Sequence, residues 1–304
     1  STDISSVKVN WGNSLASLDW NWRLSGQIRM RSVLYYTRYN GKMANGYENH
    51  NDDTANFNGS KEESGNLSRV NDVGLKSDFS WSPAKRHLIR FGASAQSHFY
   101  KADRYAEYDK FVAGKEVPDS SSNVGAKYYG TEMSAYFEDE MNLADWFKLN
   151  AGIRYALYQT GKKFYHSVEP RAAITFAVHP KVDIRASYAE MSQFNHQVSS
   201  VYLDLPTNLW MPSTERIGPM RSRQAAVGVY ARLPENMTLT VEGYWKSMSG
   251  LIEYVGQSTI FPPVDSWETQ YTSGKGRSWG AEFQYEWTTQ KDNLNLSYTL
   301  SWSQ

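Results

Sequence analysis

Residues 169–196 read EPRAAITFAVHPKVDIRASYAEMSQFNH. A short polar turn, His179-Pro180-Lys181, sits at the middle. After it, Val182, Ile184, Ala186 and Tyr188 fall on one face, and Asp183, Arg185 and Ser187 on the other. A period of two marks a strand with one apolar and one polar side. Before the turn, Ala172, Ile174, Phe176 and Val178 alternate with Ala173, Thr175 and Ala177. Two such arms around a tight turn predict an antiparallel hairpin. Each arm runs roughly ten residues or more, beyond the ~5–6 of a typical soluble strand. A tilted strand that crosses a bilayer needs about 9–11.

The same alternation spreads in both directions. It runs through Leu18, Trp20 and Trp22, then Leu34 and Tyr36, Val73 and Leu75, Phe91 and Ala93, Met133 to Phe137, and Leu149 to Leu157. Beyond the hairpin it returns at Ala225–Leu233, Met237–Trp245, Ala281–Trp287 and Leu294–Trp302. Roughly twelve strands result. Short turns fall near residues 25, 84, 144, 180, 235 and 291. Polar connections separate them, at about 40–70, 102–127, 161–168, 197–219 and 255–275. A connection pattern of short, long, short, long is that of a bacterial outer-membrane barrel, with short turns in the periplasm and long loops outside. The fold class expected is therefore all-β, an antiparallel transmembrane β-barrel. On this orientation the first and last strands both have their free ends outside. A complete barrel has both termini in the periplasm, so residues 1–304 are expected to be a β-barrel domain fragment.

Composition narrows the function. The 304 residues carry zero formal net charge, which argues against a nucleic-acid partner. The chain has no cysteine, which excludes disulfides and thiolate metal sites. Mean hydropathy is −0.63, and no apolar run approaches the ~18 residues of a membrane-spanning helix. A barrel with a polar interior is compatible with that value. The 11 Trp and 21 Tyr suit aromatic girdles at two membrane interfaces. The alternating polar positions, including Arg154, Arg185, Glu242, Glu282 and Glu286, are expected to line the lumen. It follows that Ile184→Arg should damage assembly and Arg185→Ala should be tolerated.

Three groups of residues resemble a known family. The first is Tyr136-Phe137-Glu138-Asp139-Glu140 followed by Leu149-Asn150-Ala151-Gly152-Ile153-Arg154-Tyr155. The second is Glu169-Pro170-Arg171 with Arg185-Ala186-Ser187-Tyr188. The third is Leu205–Thr214, LPTNLWMPST, with Gly274–Gly280, GKGRSWG. Together they resemble the barrel of TonB-dependent outer-membrane receptors, the third group being similar to the Bacteroidetes branch. The resemblance implies nutrient uptake driven by TonB through a barrel of about 22 strands around an N-terminal plug. Roughly 12 of those strands are present, and no plug, TonB box or C-terminal aromatic strand signature is legible. The partners implied are outer-membrane lipid, TonB through a plug and TonB box, a small nutrient ligand and a surface lipoprotein. Two other readings compete: a passive porin of about twelve strands, complete in itself, and a soluble glycan-binding β-protein whose apolar stripes are buried against a second sheet.

Chemistry-bearing motifs are sparse. Tyr47–Asp53 clusters oxygen and imidazole groups without the spacing of a calcium loop, and reads as solvated surface. Gly274-Lys275-Gly276 lacks the P-loop spacing. No nucleophile elbow occurs, and His166, His179 and His196 fall on separate hairpin ends. No catalytic, cofactor or metal residue is assigned. The loop at 197–220 is the candidate ligand contact, through Tyr202, Trp210 and Arg216, which can stack and pair with anions. Trp267, in the 255–275 loop, is a further candidate.

Overall fold

The computed structural model describes residues 2–50, 58–113, 115–200, 208–257 and 259–304. Twelve strands form one antiparallel sheet in which chain neighbours pair. They are β1 (Thr2–Arg23), β2 (Ile28–His50), β3 (Gly59–Ala84), β4 (His87–Val112), β5 (Lys115–Ala144), β6 (Phe147–Thr160), β7 (Lys163–His179), β8 (Val182–Gln193), β11 (Met220–Leu233), β12 (Met237–Tyr254), β13 (Tyr271–Thr288) and β14 (Asn293–Ser303). Between β8 and β11 a separate hairpin, β9 (Asn195–Val198) with β10 (Leu209–Pro212), leaves the sheet. No helix is long and apolar enough to cross a membrane among the described residues. That says nothing against strands doing so.

Among the described residues no pairing joins β1 to β14. The sheet is open, and its two edge strands are exposed almost throughout. The passive-porin reading needs a closed ring, which this sheet does not make. The soluble reading fails on the apolar stripes. Val73, Phe137, Ile153, Val227 and Phe283 are exposed, with no second sheet over them.

Register separates the two faces. On β4 the even positions Tyr100 and Ala102 are buried under loops, while the odd positions point the other way. Following partners from β4 to β13 puts Phe91, Phe137, Ile153, Ile184, Val229, Val241 and Phe283 on the outer face. Arg154, Arg185, Glu242, Glu282 and Glu286 take the inner one. Aromatic residues bracket the outer apolar band. Phe79 stacks on Phe91 at 5.0 Å and Trp146 meets Phe176 edge-on at 5.0 Å near the short turns. At the other end Phe99 meets Tyr129 at 5.1 Å and Trp279 stacks on Trp302 at 6.5 Å. Eight residues separate Phe91 from Phe99 and Trp279 from Trp287. At ~3.4 Å per residue that is about 27 Å of strand, or roughly 21 Å of height at a ~40° tilt, close to an apolar band ~25 Å tall.

The long polar connections needed the largest correction. Most of 40–70 and 102–127 is strand, continuing β2 to β5 beyond the membrane band. β4 runs thirteen residues past Phe99, whereas β6 ends five residues past Tyr155. Periodicity fades there because the outer face meets water instead of lipid, while the inner face packs against the folded-in loops through small residues such as Ser68 and Ala102. The ladder is held by its backbone bonds and by cross-strand ion pairs, such as Lys61–Glu116 at 3.1 Å and Lys110–Asp119 at 3.0 Å. The expected connection at 161–168 shrinks to a turn at Gly161-Lys162, with Gly161 at φ 56°. Tyr47 to His50 lie in β2, and residues 51–53 of that cluster lie outside the described residues.

Candidate functional site

The inner wall is charged and cross-braced. Arg154 donates through Nη1 to Glu169 at 2.9 Å and through Nη2 to Glu132 at 2.7 Å. Arg90 reaches Glu138 and Glu140 at 3.3 and 3.1 Å, and the Tyr136 hydroxyl donates to Asp78 at 2.8 Å. Arg154 and its partners are largely but not wholly shielded. Arg154→Ala therefore leaves two carboxylates facing each other and should cost about 2 kcal/mol, below the full ~3–5 of a buried pair. The unfolding midpoint in detergent micelles should fall, and adding Glu132→Gln with Glu169→Gln should restore much of it. An unchanged midpoint for Arg154→Ala would contradict the bracing role.

Above this wall the connections between β8 and β11 and between β12 and β13 turn inward. The β9–β10 hairpin crosses the concave face to reach β3, β4 and β5, which requires the sheet to curl. The Trp210 amide donates to Ser68 Oγ on β3 at 3.5 Å. From the other connection, Trp267 Nε1 donates to the Tyr128 hydroxyl on β5 at 3.0 Å, and the Tyr271 hydroxyl donates to the Ser199 carbonyl at 2.8 Å. Val198, Leu209, Met211, Ile217, Val264 and Trp267 form one buried cluster against Ala102. The loops are thus a strut of apolar side chains across the lumen.

Four inward residues align across the wall under that strut: Asn13 opposite Tyr39, Tyr39 opposite Val70, and Val70 opposite Tyr100. With Asn195 and Trp210 they enclose a cavity of about 270 Å³. Ligand pockets usually run ~300–1,000 Å³, so this one suits a single ring-sized portion of a ligand. Three aromatic faces with two amides can stack a flat apolar surface and hydrogen-bond its polar edge.

The four residues singled out from sequence separate here. Trp210 lines the cavity. Trp267 is fully buried within the strut, where an indole with a partner for its N–H packs better than in water. Arg216 is exposed at the tip of a turn closed by Thr214 N–Ile217 O at 2.9 Å and Ile217 N–Thr214 Oγ1 at 3.1 Å. Its neighbour Glu215 accepts from the Lys162 amide at 2.9 Å, which fastens this turn over the β6–β7 turn. Tyr202 lies outside the described residues. Asn13, Tyr39, Tyr100 and Asn195 were not anticipated. Their signal was parity: each strand tyrosine here stands on the inward, mostly polar face.

His196 sits within the strut, fully buried, its Nε2 paired with Ser213 Oγ at 3.2 Å. Burial depresses its pKa to about 4, against a hydrogen bond with the Gly218 backbone that works the other way. The packed form therefore holds a neutral imidazole, and the opened loop, with an ordinary value near 6.5, binds the extra proton. Loop stability is complete above about pH 6.5 and falls as pH drops toward 4, by about 2 kcal/mol at pH 5. Hydrogen exchange of residues 208–219 should speed up between pH 7.5 and 5 after correction for intrinsic rates. His196→Gln should flatten that dependence, and an equally steep profile in the variant would contradict it.

A family profile described as TonB dependent receptor-like, beta-barrel, matches residues 2–304. The chain belongs to this family. Its members are outer-membrane receptors, not enzymes, and the outer membrane is its location. A comparison with curated proteins finds no match. Among solved structures, this TonB-dependent receptor barrel is similar to the RagAB peptide transporter, with 11% identity, a TM-score of 0.64, and coverage of 99% of this chain and 37% of that one. The FrpB iron transporter from Neisseria meningitidis gives 12%, 0.56, 97% and 53%. The copper transporter OprC gives 11%, 0.52, 96% and 53%. The receptor barrel thus spans between about a third and a little over half the length of these proteins. At such identities the likeness is one of fold.

Proposed function

We propose that this chain is the barrel portion of a receptor that captures a scarce nutrient outside the cell and imports it with energy from TonB. The observation that carries the reading is the pair of inward-folded loops, which place Trp210 over an aromatic-lined cavity in the barrel mouth. In this reading Trp210, with Tyr39 and Tyr100, grips the ligand. Arg216 and Tyr202 belong to the approach above it, and Trp267 holds the loops in place. The charged inner wall around Arg90, Arg154 and Arg171 meets a plug through which TonB acts. The partners are outer-membrane lipid, TonB, a small nutrient and a surface lipoprotein of the kind expected in the Bacteroidetes branch.

The test is the intact mass of the native protein extracted from outer membranes, with N-terminal sequencing. A mass well above 34.7 kDa, with a plug-like segment ahead of Ser1, is the expected result. A native mass near that value starting at Ser1 would overturn the reading and leave a small self-contained barrel.

A further inference from the structure

We propose that the outer face of β11 to β13 carries a binding site for a phosphate-bearing lipid headgroup of the outer leaflet. On β13, Arg277 lies two residues and Lys275 four residues beyond Trp279, all on the lipid-facing side. On β12, Ser247 and Ser249 stand in the same relation to Trp245. On β11, Arg223 pairs in register with Ser247, and Arg221 with Ser249. Arg277 and Lys275 continue these two rows. Four cations therefore sit just past the outer aromatic girdle, where the chain leaves hydrocarbon for headgroups.

All four, with both serines, line one cavity of about 650 Å³. Glu190 is the single carboxylate among its lining residues. It lies 3.4 Å from Arg223 Nε. Arg221 donates through Nη2 to the His166 carbonyl at 3.1 Å, which steadies its guanidinium without neutralising it. Lys275 and Arg277 have no side-chain partner among the described residues. A second outward basic row on β3 to β5, Arg69, Lys101 and Lys127, has three cations rather than four, and of these Lys101 is paired with a carboxylate. The Arg69 Nε donates to Asn40 Oδ1 at 2.8 Å, and Lys101 pairs with Asp103 at 2.7 Å. The β11–β13 cluster thus keeps a surplus of positive charge beside an apolar wall. Guanidinium forks and serine hydroxyls suit phosphate oxygens, while Trp245 and Trp279 lie against the lipid's acyl side. A headgroup there is drawn in by charge and held by its tails.

The receptor purified from outer membranes is stripped of lipid and returned to micelles. They contain a phosphorylated glucosamine lipid (lipid A), or the same lipid with its phosphate removed. Lipid bound per protein is counted by native mass spectrometry. The phosphorylated lipid should be retained about tenfold better. Arg221→Gln/Arg223→Gln/Lys275→Gln/Arg277→Gln should abolish that preference, and Arg69→Gln/Lys101→Gln/Lys127→Gln should keep it. Heat-dependent gel migration reports assembly. If the fourfold variant does not assemble, Lys275→Gln/Arg277→Gln should reduce the preference severalfold. Equal retention of the two lipids by the unaltered protein would overturn the proposal, as would equal loss in both variant sets. Full displacement by millimolar inorganic phosphate would also overturn it, showing a free-anion site instead.

Discussion

Trp267→Ala should loosen the strut inside the barrel by about 3–5 kcal/mol, the range for truncating a buried tryptophan. The indole is fully buried, and its N–H reaches Tyr128 across 139 residues of chain. Among the described residues no other side-chain hydrogen bond of the β12–β13 connection reaches so far around the wall. Removal takes the apolar filling and also leaves the half-buried Tyr128 hydroxyl without its donor. Because the sheet's ladders do not depend on the strut, the barrel itself should still assemble. Hydrogen exchange should therefore show faster exchange at residues 208–219 and 259–270, with the β4 and β5 amides unchanged. Trp267→Phe keeps most of the filling and loses the hydrogen bond, so it should cost only about 1 kcal/mol. Trp210→Ala should do the reverse of Trp267→Ala, leaving loop protection near normal and weakening ligand capture. Unchanged protection in Trp267→Ala would mean that the loops stand without it.

Phe283→Arg should impair assembly strongly and Ile184→Arg mildly, while Arg185→Ala is tolerated. Phe283 lies four residues from both Trp279 and Trp287 on the outer face, which centres it in the apolar band. An arginine near the midplane costs about 2–4 kcal/mol, falling toward the interfaces. Ile184 pairs in register with Phe176 in the girdle near the turn at 180–181, so its cost should fall below that range, toward the ~0–1 kcal/mol of the interfaces. Arg185, one residue on, faces the interior, where its guanidinium sits 4.2 Å from the Tyr230 ring centre and 3.4 Å from Asp183. Both contacts are on a partly wet face and contribute modestly. Folding yield into liposomes, read by heat-dependent gel migration, should rank Arg185→Ala near the unaltered protein and Phe283→Arg lowest. Equal yields would contradict the assigned faces.

These faces were legible from sequence wherever lipid and lumen impose different demands on alternate residues. That is why the hairpin at 169–196, the twelve strands and the short turns read correctly. Past the girdles water replaces lipid on the outer face, and the pattern that had marked β2 to β5 disappears although their strands go on. Composition then misled, since Gly, Asn, Asp and Ser at 40–70 describe a wet sheet as well as a wet loop. Of the residues that line the proposed cavity, the sequence pointed to Trp210 alone. The cavity's other walls come from β1, β2 and β4, which approach the β9–β10 hairpin only once the sheet curls, and local spacing carries no trace of that. Trp267 shows the converse limit, because an aromatic residue in a polar loop can be an anchor as readily as a contact.

The height of the strands has a consequence for traffic. β2 to β5 rise well past the membrane while β6 stops a few residues above its girdle, so the rim is tall on one flank and low on the other. A solute diffusing along the cell surface meets a rigid screen from one side and an open sill from the other. Entry to the Trp210 cavity is thereby directional. Large bodies approaching from the tall flank would touch the screen first, well away from the Trp210 cavity. The screen can change many of its surface side chains, since its ladders rest mainly on backbone bonds, and the Trp210 cavity beneath need not change with it.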